Sequence, residues 1–109
     1  MSIKDLVDLI YEDNSKNIRK REILLFLLKN IDKETGTATY ILREKIKKQH
    51  GKYGIKLFYQ VLNRLKDLGI CKVRIIRDLE TGRKIRYIEF TPDAFEYKIR
   101  QIIRSLRGK

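Results

Sequence analysis

The spacing of apolar residues changes at Gly69, and this change limits the chain to a fold that combines helices with a β-hairpin. Before Gly69, apolar residues recur every three or four positions, as on one side of a helix; they are Ile55, Phe58, Leu62, Leu65 and Leu68. After it, the segments 70–78 and 85–90 are rich in β-branched and aromatic residues and approach an alternating pattern. A turn with Thr81 and Gly82 near its tip joins them. The sequence therefore predicts a helix ending at Gly69, followed by a hairpin.

Four further segments carry helical patterns. The first covers 1–13, the second starts at Ser15 or Asn17 and ends near residue 31, and a shorter one ends at Gly51. The last begins at Thr91, an N-cap followed by proline at the first helical position. We expect a mostly helical α+β fold in one domain, 1–109, divided into an N-terminal helix at 1–13, a core at 17–90 and a C-terminal helix at 91–107.

Charge is the strongest functional signal. The 109 residues contain 26 Lys and Arg against 14 Asp and Glu, a formal net charge of +12, and such a field attracts polyanions. The segment 51–109 holds 15 of the basic residues and only 6 of the acidic ones, which places the expected binding surface mainly in the second half. The alternative is the solvated ionic surface of a heat-adapted protein, because Lys, Glu and Ile are abundant.

The sequence gives little support for catalysis. His50, the only histidine, lies in a basic turn, and Cys71, the only cysteine, opens a strand in the apolar phase and is expected in the core. Asp78 and Glu80, close to Lys84, are the nearest pair of carboxylates to the kind a metal-dependent nuclease uses, but a hairpin loop gives them no enclosed pocket. We therefore expect a protein that is not an enzyme and uses no metal or cofactor.

The composition also indicates the compartment. A single cysteine allows no intramolecular disulfide, and no apolar run approaches the roughly 20 residues of a membrane span. The first residues lack the apolar centre of a signal peptide. We expect an intracellular, nucleoid-associated protein in the cytoplasm, or in the host cytoplasm if the protein is viral.

The order helix, helix, turn, helix, hairpin, helix resembles the winged helix-turn-helix superfamily over roughly residues 17–106. The resemblance is carried by Phe58, Leu62, Leu65 and Gly69-Ile70, by the hairpin tip Glu80-Thr81-Gly82-Arg83, and by Phe90-Thr91-Pro92. The layout is similar to the small MarR-like and PadR-like regulators and to compact winged-helix proteins of archaea and their viruses. Two features depart from it: the connection 49–54 is longer than a tight helix-turn-helix turn, and a helix precedes the core.

The resemblance implies that the helix after the turn enters the major groove of DNA and that the hairpin, as the wing, contacts the adjacent minor groove or backbone. With the apolar side facing inward, the predicted contacts of the helix are Lys52, Lys56, Tyr59, Gln60, Asn63, Arg64 and Lys66. The amides of Gln60 and Asn63 suit adenine, whereas Arg64 and Lys66 suit the backbone. Leu57 is apolar on this side and is expected to pack against the first two helices, with contact to a thymine methyl as the alternative. The predicted wing contacts are Arg74, Arg77, Arg83, Lys84 and Arg86, with Arg83 the first candidate for the minor groove.

An apolar seam predicts a two-fold homodimer, which would present two such helices to half-sites about one helical turn apart. Its residues are Leu6, Ile10, Phe95, Ile99, Ile102, Ile103 and Leu106. The alternative is that these helices only cover their own domain. The leading functional hypothesis is a transcription regulator that binds specific double-stranded DNA without a small-molecule effector. A DNA-coating architectural or partition protein, and a module that binds RNA or protein, remain as alternatives.

Overall fold

The computed structural model of the chain describes residues 3–91 and residue 104. Within these residues it has three α-helices and three β-strands, which confirms the mostly helical α+β class. The elements are α1 (Ile3–Ile10), a 3-10 turn (Ser15–Asn17), α2 (Ile18–Asn30), β1 (Thr37–Ala38), α3 (Thr39–Asp67), β2 (Cys71–Arg77) and β3 (Lys84–Phe90). Apart from Thr91 and Arg104, the helix predicted over 91–107 lies outside the described residues.

Helix α1 packs its apolar stripe into the core of the same chain. Leu6 and Ile10 are only 1% and 7% exposed and lie in one cluster with the buried side of α2. Arg21 of α2 holds α1 against α2, because its guanidinium forms an ion pair with Asp8 and donates to the carbonyl of Tyr11. The prediction that Leu6 and Ile10 form a dimer interface is therefore corrected: the chain itself covers both side chains. The other residues predicted for that interface lie outside the described part of the chain.

Helix α2 is covered on several sides by its own chain. Its buried side chains are Ile23, Leu24, Leu27 and Leu28. Leu25 and Phe26 are partly buried against the same core. Burying this much apolar surface fixes the helix at the centre of the molecule, and each such side chain contributes roughly 1.5–3 kcal/mol relative to an exposed position.

The turn after α2 joins that helix to the sheet. Asp32 accepts backbone N–H bonds from Thr35 and Glu34, both at 2.9 Å, and these bonds hold the pKa of its carboxyl below the usual value. Gly36 follows with φ +75°, and a Cβ placed there would lie 2.8 Å from the carbonyl oxygen of Ile88. Only glycine allows this close approach, which brings β1 onto β3.

Helix α3 is broken at a single residue, Gly51, which divides it into a first arm (39–50) and a second arm (52–67). Gly51 has φ 72° and ψ −165°, a conformation that is essentially restricted to glycine. A Cβ at Gly54 would lie 2.3 Å from Cβ of His50, so this second glycine lets the arms pass closely. The longer connection predicted at 49–54 is therefore wrong, because two glycines turn the chain within one residue.

The three strands form an antiparallel sheet in the order β1-β3-β2. Ile88 pairs with Thr37 on one side and with Val73 on the other, and it is fully buried in the core. Thr91 ties the end of β3 to the end of α3, since its hydroxyl donates to the carbonyl of Gly69 at 2.7 Å. The predicted hairpin is thereby confirmed and held against the second arm. None of the helices in residues 3–91 has the length and apolar character that crossing a bilayer requires.

Candidate nucleic-acid interface

The second arm of α3 separates an apolar side from a polar one. Leu57, Phe58, Val61, Leu62 and Leu65 are buried. The prediction that Leu57 packs inward is confirmed by its exposure of 5%. The seven side chains predicted for the outer side are all exposed: Lys52, Lys56, Tyr59, Gln60, Asn63, Arg64 and Lys66. The arm therefore presents two amides among cations to solvent, on a helix whose other side is anchored in the core.

The loop of the hairpin is organised by Asp78. Its carboxylate accepts the backbone N–H of Glu80 and the hydroxyl of Thr81, each at 3.0 Å. Its backbone N–H donates to the carbonyl of Arg83, and its carbonyl accepts the N–H of Gly82, both at 2.8 Å. These four bonds fix the loop without using the side chain of Arg83, which stays exposed. Asp78, which was considered as half of a nuclease-like pair and argued against, thus has a structural use.

A groove of about 670 Å³ separates the hairpin from α3, and we call it the hairpin-side groove. Tyr59 lines it from the second arm, and Arg43 and Tyr40 line it from the first arm. The remaining lining residues are Thr39, Asp78, Thr81, Arg83, Lys84, Ile85 and Arg86. The structure therefore brings the predicted contacts Tyr59, Arg83, Lys84 and Arg86 to one place.

The strand register divides the basic residues of the hairpin between two faces. Lys84 and Arg86 point to the same side as Ile88, because alternate residues of a strand share a face, and Arg77 pairs directly with Lys84. We call this the groove face. Arg74 pairs with Tyr87 and so lies on the opposite face. The prediction that Arg74 belongs with the other wing contacts is therefore corrected. Arg74 is out of phase with Arg77 in the alternation along β2, so its side chain lies on the other side of the sheet.

Electrostatics separates the two faces further. On the face opposite the groove, the carboxylate of Glu89 forms ion pairs with Lys72 and Arg74, each with an N···O distance of 3.5 Å, and we call these three residues the paired face. None of the ion pairs in residues 3–91 involves Arg83, Lys84 or Arg86. Cations without carboxylate partners retain their full attraction for an external anion. The groove face is therefore the part of the hairpin suited to an extended polyanion.

Cys71 and His50, the residues considered for catalysis, lie in the core and at the break in α3. Cys71 is 3% exposed, as predicted for a core residue, and burial raises the pKa of its thiol to about 12, which keeps it protonated at neutral pH. His50 is half-buried at the break in α3, where it packs close to Gly54. In residues 3–91 no three His, Cys, Asp or Glu side chains come together in a way that could hold a metal ion.

Sequence reasoning did not find the contribution of the first arm. Tyr40 and Arg43 both line the hairpin-side groove, and Tyr40 is 61% exposed. Their separation of three residues places them on one side of a helix, and this was the available signal. This spacing alone could not identify the two residues as part of the groove. The angle between the two arms, set at Gly51, decides which side of the first arm faces the hairpin.

Comparisons with protein families, curated proteins and solved structures found no match to this chain.

Proposed function

We propose that the chain is a transcription regulator that binds specific sequences in double-stranded DNA. In this proposal the fold is a winged helix-turn-helix, with the second arm of α3 in the major groove and the hairpin as the wing. The observation that carries the proposal is the hairpin-side groove, where Tyr59 from the polar side of the second arm lies with hairpin cations that make no ion pair among the described residues. B-DNA offers a major groove about 12 Å wide, which admits one helix, bordered by phosphates that attract such cations.

Base recognition is assigned to the middle of the second arm. Gln60 and Asn63 are exposed and lie three residues apart, hence on one side of the helix. In each side chain the amide oxygen can accept a hydrogen bond from N6–H₂ of adenine while the amide NH₂ donates to N7, which is the bidentate arrangement that suits adenine. Lys56 lies one turn earlier on the same side and can reach guanine acceptors or a phosphate. These groups favour sequence-specific binding over binding that uses the backbone alone.

Backbone and minor-groove contacts are assigned to the groove face of the hairpin. Arg83 is exposed in a loop that Asp78 holds in place, so it can enter a narrow minor groove, where the negative potential is enhanced. Lys84 and Arg86 follow on the adjoining strand and suit phosphates. An elongated anion that contacts both elements explains why this many like charges are kept together.

Selection of bound fragments from random duplex DNA tests the proposal. We expect a short enriched motif with A·T pairs where Gln60 and Asn63 read the bases. With six to ten phosphates neutralised per dimer, affinity for that motif should fall about 10³- to 10⁵-fold between 50 and 200 mM salt. No enrichment together with an affinity that hardly changes with salt would contradict the proposal.

A DNA-coating architectural protein is the second candidate, favoured by the net charge of +12. Footprinting separates the two, because a regulator protects one short site whereas a coating protein extends its protection as its concentration rises. Preference for RNA in a competition assay would instead favour an RNA-binding module.

The proposal includes a homodimer inside the cell. Two copies would present two second arms to half-sites about 34–36 Å apart along the duplex. The apolar residues predicted for that contact, from Phe95 to Leu106, lie outside the described residues, so the dimer remains a prediction. Sedimentation equilibrium of the free protein and the symmetry of the selected motif both test it.

A further inference from the structure

A second groove lies on the other side of the second arm, away from the hairpin. We call it the α2-side groove, and its volume is about 450 Å³. It is lined by Ser15, Lys16, Ile18, Arg19, Lys20, Tyr53, Leu57 and Gln60. Three of these eight side chains are cationic and none is acidic. Gln60, which the proposed function assigns to base reading, forms one wall, so this groove adjoins the proposed interface directly.

The cations of the α2-side groove have no carboxylate partners among the described residues. None of the ion pairs in residues 3–91 involves Lys16, Arg19 or Lys20. Arg21, in the same helix, differs: it pairs with Asp8 and lies 3.8 Å from Asp13. The acidic residues at the start of the chain therefore neutralise Arg21 and form no ion pair with the groove cations among the described residues. Of those cations, Lys20 lies over the ring of Tyr11, 5.8 Å from its centroid.

An aromatic ring positions one of these cations. The guanidinium of Arg19 lies over the ring of Tyr53, 5.9 Å from its centroid, a contact that holds the charge in place between α2 and α3. Tyr53 itself is 58% exposed, so its hydroxyl is available to donate a hydrogen bond. A cation and a hydroxyl donor fixed side by side suit the oxygens of one phosphate.

We propose that the α2-side groove binds the second sugar-phosphate strand of the duplex whose first strand lies against the hairpin. This inference rests on the proposed function. A helix in the major groove has a phosphate strand on each side, and the second arm has a basic groove on each side. Arg19 and Lys16 contact phosphates there, with the hydroxyl of Tyr53 on the same phosphate as Arg19. The duplex is thus held at both flanks of the helix that reads it.

The test compares the double substitution Lys16→Ala/Arg19→Ala with Lys29→Ala. Lys29 is exposed at the opposite end of α2, about 15 Å from Arg19 along the helix. Binding to one selected duplex is measured by anisotropy between 50 and 200 mM salt. Removing two phosphate contacts from each protomer of the dimer should make the loss of affinity over this range about 10²-fold smaller than in the wild type, because each contact contributes about 0.9 to the salt exponent. Lys29→Ala should match the wild type.

Duplexes with one neutral methylphosphonate locate the contact. In the wild type, neutralising the phosphate opposite the α2-side groove should weaken binding, and in Lys16→Ala/Arg19→Ala the same modification should have no further effect. The selected base motif should be unchanged, since these residues read no bases. Circular dichroism melting of both variants verifies that they are folded.

The possible failures are distinguishable. A wild type that binds no duplex DNA removes the proposed function and this inference together. A wild type that binds DNA, with a double variant of equal affinity and equal salt dependence, refutes the α2-side contact alone and leaves the hairpin-side interface standing.

Discussion

The two faces of the hairpin both carry cations, but these cations differ in their ion-pair partners and in their position relative to α3. On the paired face, Lys72 and Arg74 share Glu89. On the groove face, Lys84 and Arg86 line a groove with α3 and make no ion pair among the described residues. The comparison shows that the density of basic residues does not by itself mark a binding surface. Strand phase decides which charges face the helix, and the distribution of carboxylates decides which remain free.

Removing the groove-face charges should produce the largest effect. The variant Arg83→Ala/Lys84→Ala/Arg86→Ala loses three cations that line the groove. We expect affinity for every duplex to fall by at least about 10³-fold at 50 mM salt, because counterion release at three phosphates is lost in each protomer of the dimer. Anisotropy titrations on selected and scrambled duplexes measure it. A loss limited to the selected duplex would mean that the hairpin reads bases rather than phosphates.

Substitutions in the second arm should act on sequence preference instead. Gln60→Ala and Asn63→Ala each remove an exposed amide, and we expect each to cost about 1–3 kcal/mol of discrimination at one or two base pairs. Binding to scrambled duplexes should hardly change, since no phosphate contact is lost. Repeating the selection with each variant shows which positions of the motif relax. If these variants weaken all sequences equally, the assigned outer side of the arm does not read bases.

The double substitution on the paired face, Lys72→Ala/Arg74→Ala, should have a small effect on binding and a measurable one on folding. It removes two cations where the groove-face variant removes three, and it serves as the control for a general loss of charge from the hairpin. We expect affinity to change by less than about threefold and the free energy of unfolding to fall by roughly 0.2–1 kcal/mol per lost ion pair. Urea denaturation provides the second quantity. A loss of affinity comparable to that of the triple variant would erase the distinction between the two faces.

The smallest effect is expected for Glu89→Gln. This variant tests whether strand phase or neutralisation by Glu89 keeps the paired face from binding DNA. This substitution frees Lys72 and Arg74 without moving them to the groove side. If position excludes the paired face from DNA, affinity should stay within about twofold of the wild type. A rise of tenfold would indicate that neutralisation by Glu89, and not strand phase, keeps this face from binding. The same titration measures either outcome.

The sequence predicted the elements better than their relative placement. The spacing of Phe58, Leu62 and Leu65 defined the inner side of the second arm, because packing against a core imposes a helical period. It could not assign Arg74 to a face. Ile75 and Ile76 are consecutive apolar residues, so the alternation in β2 is ambiguous until the register with β3 is known.

The break in α3 and the packing of α1 could not be predicted from the sequence, because both depend on how the helices are placed relative to one another. Gly51 was expected as a helix end. Its backbone angles and the close approach of Gly54 to His50 show that this one residue makes the whole connection between the two arms. Likewise, an apolar stripe at Leu6 fits a second subunit or the chain's own core equally well. Only the position of α2 decides between them.

Backbone amide chemical shifts recorded during titration with a selected duplex test the central claim most directly. We claim that the exposed side of the second arm and the groove face of the hairpin contact one duplex. We expect the largest shift changes around Lys56, Gln60, Asn63 and Arg83, with small changes at Lys72. Changes concentrated on the paired face, or none on the second arm, would contradict it.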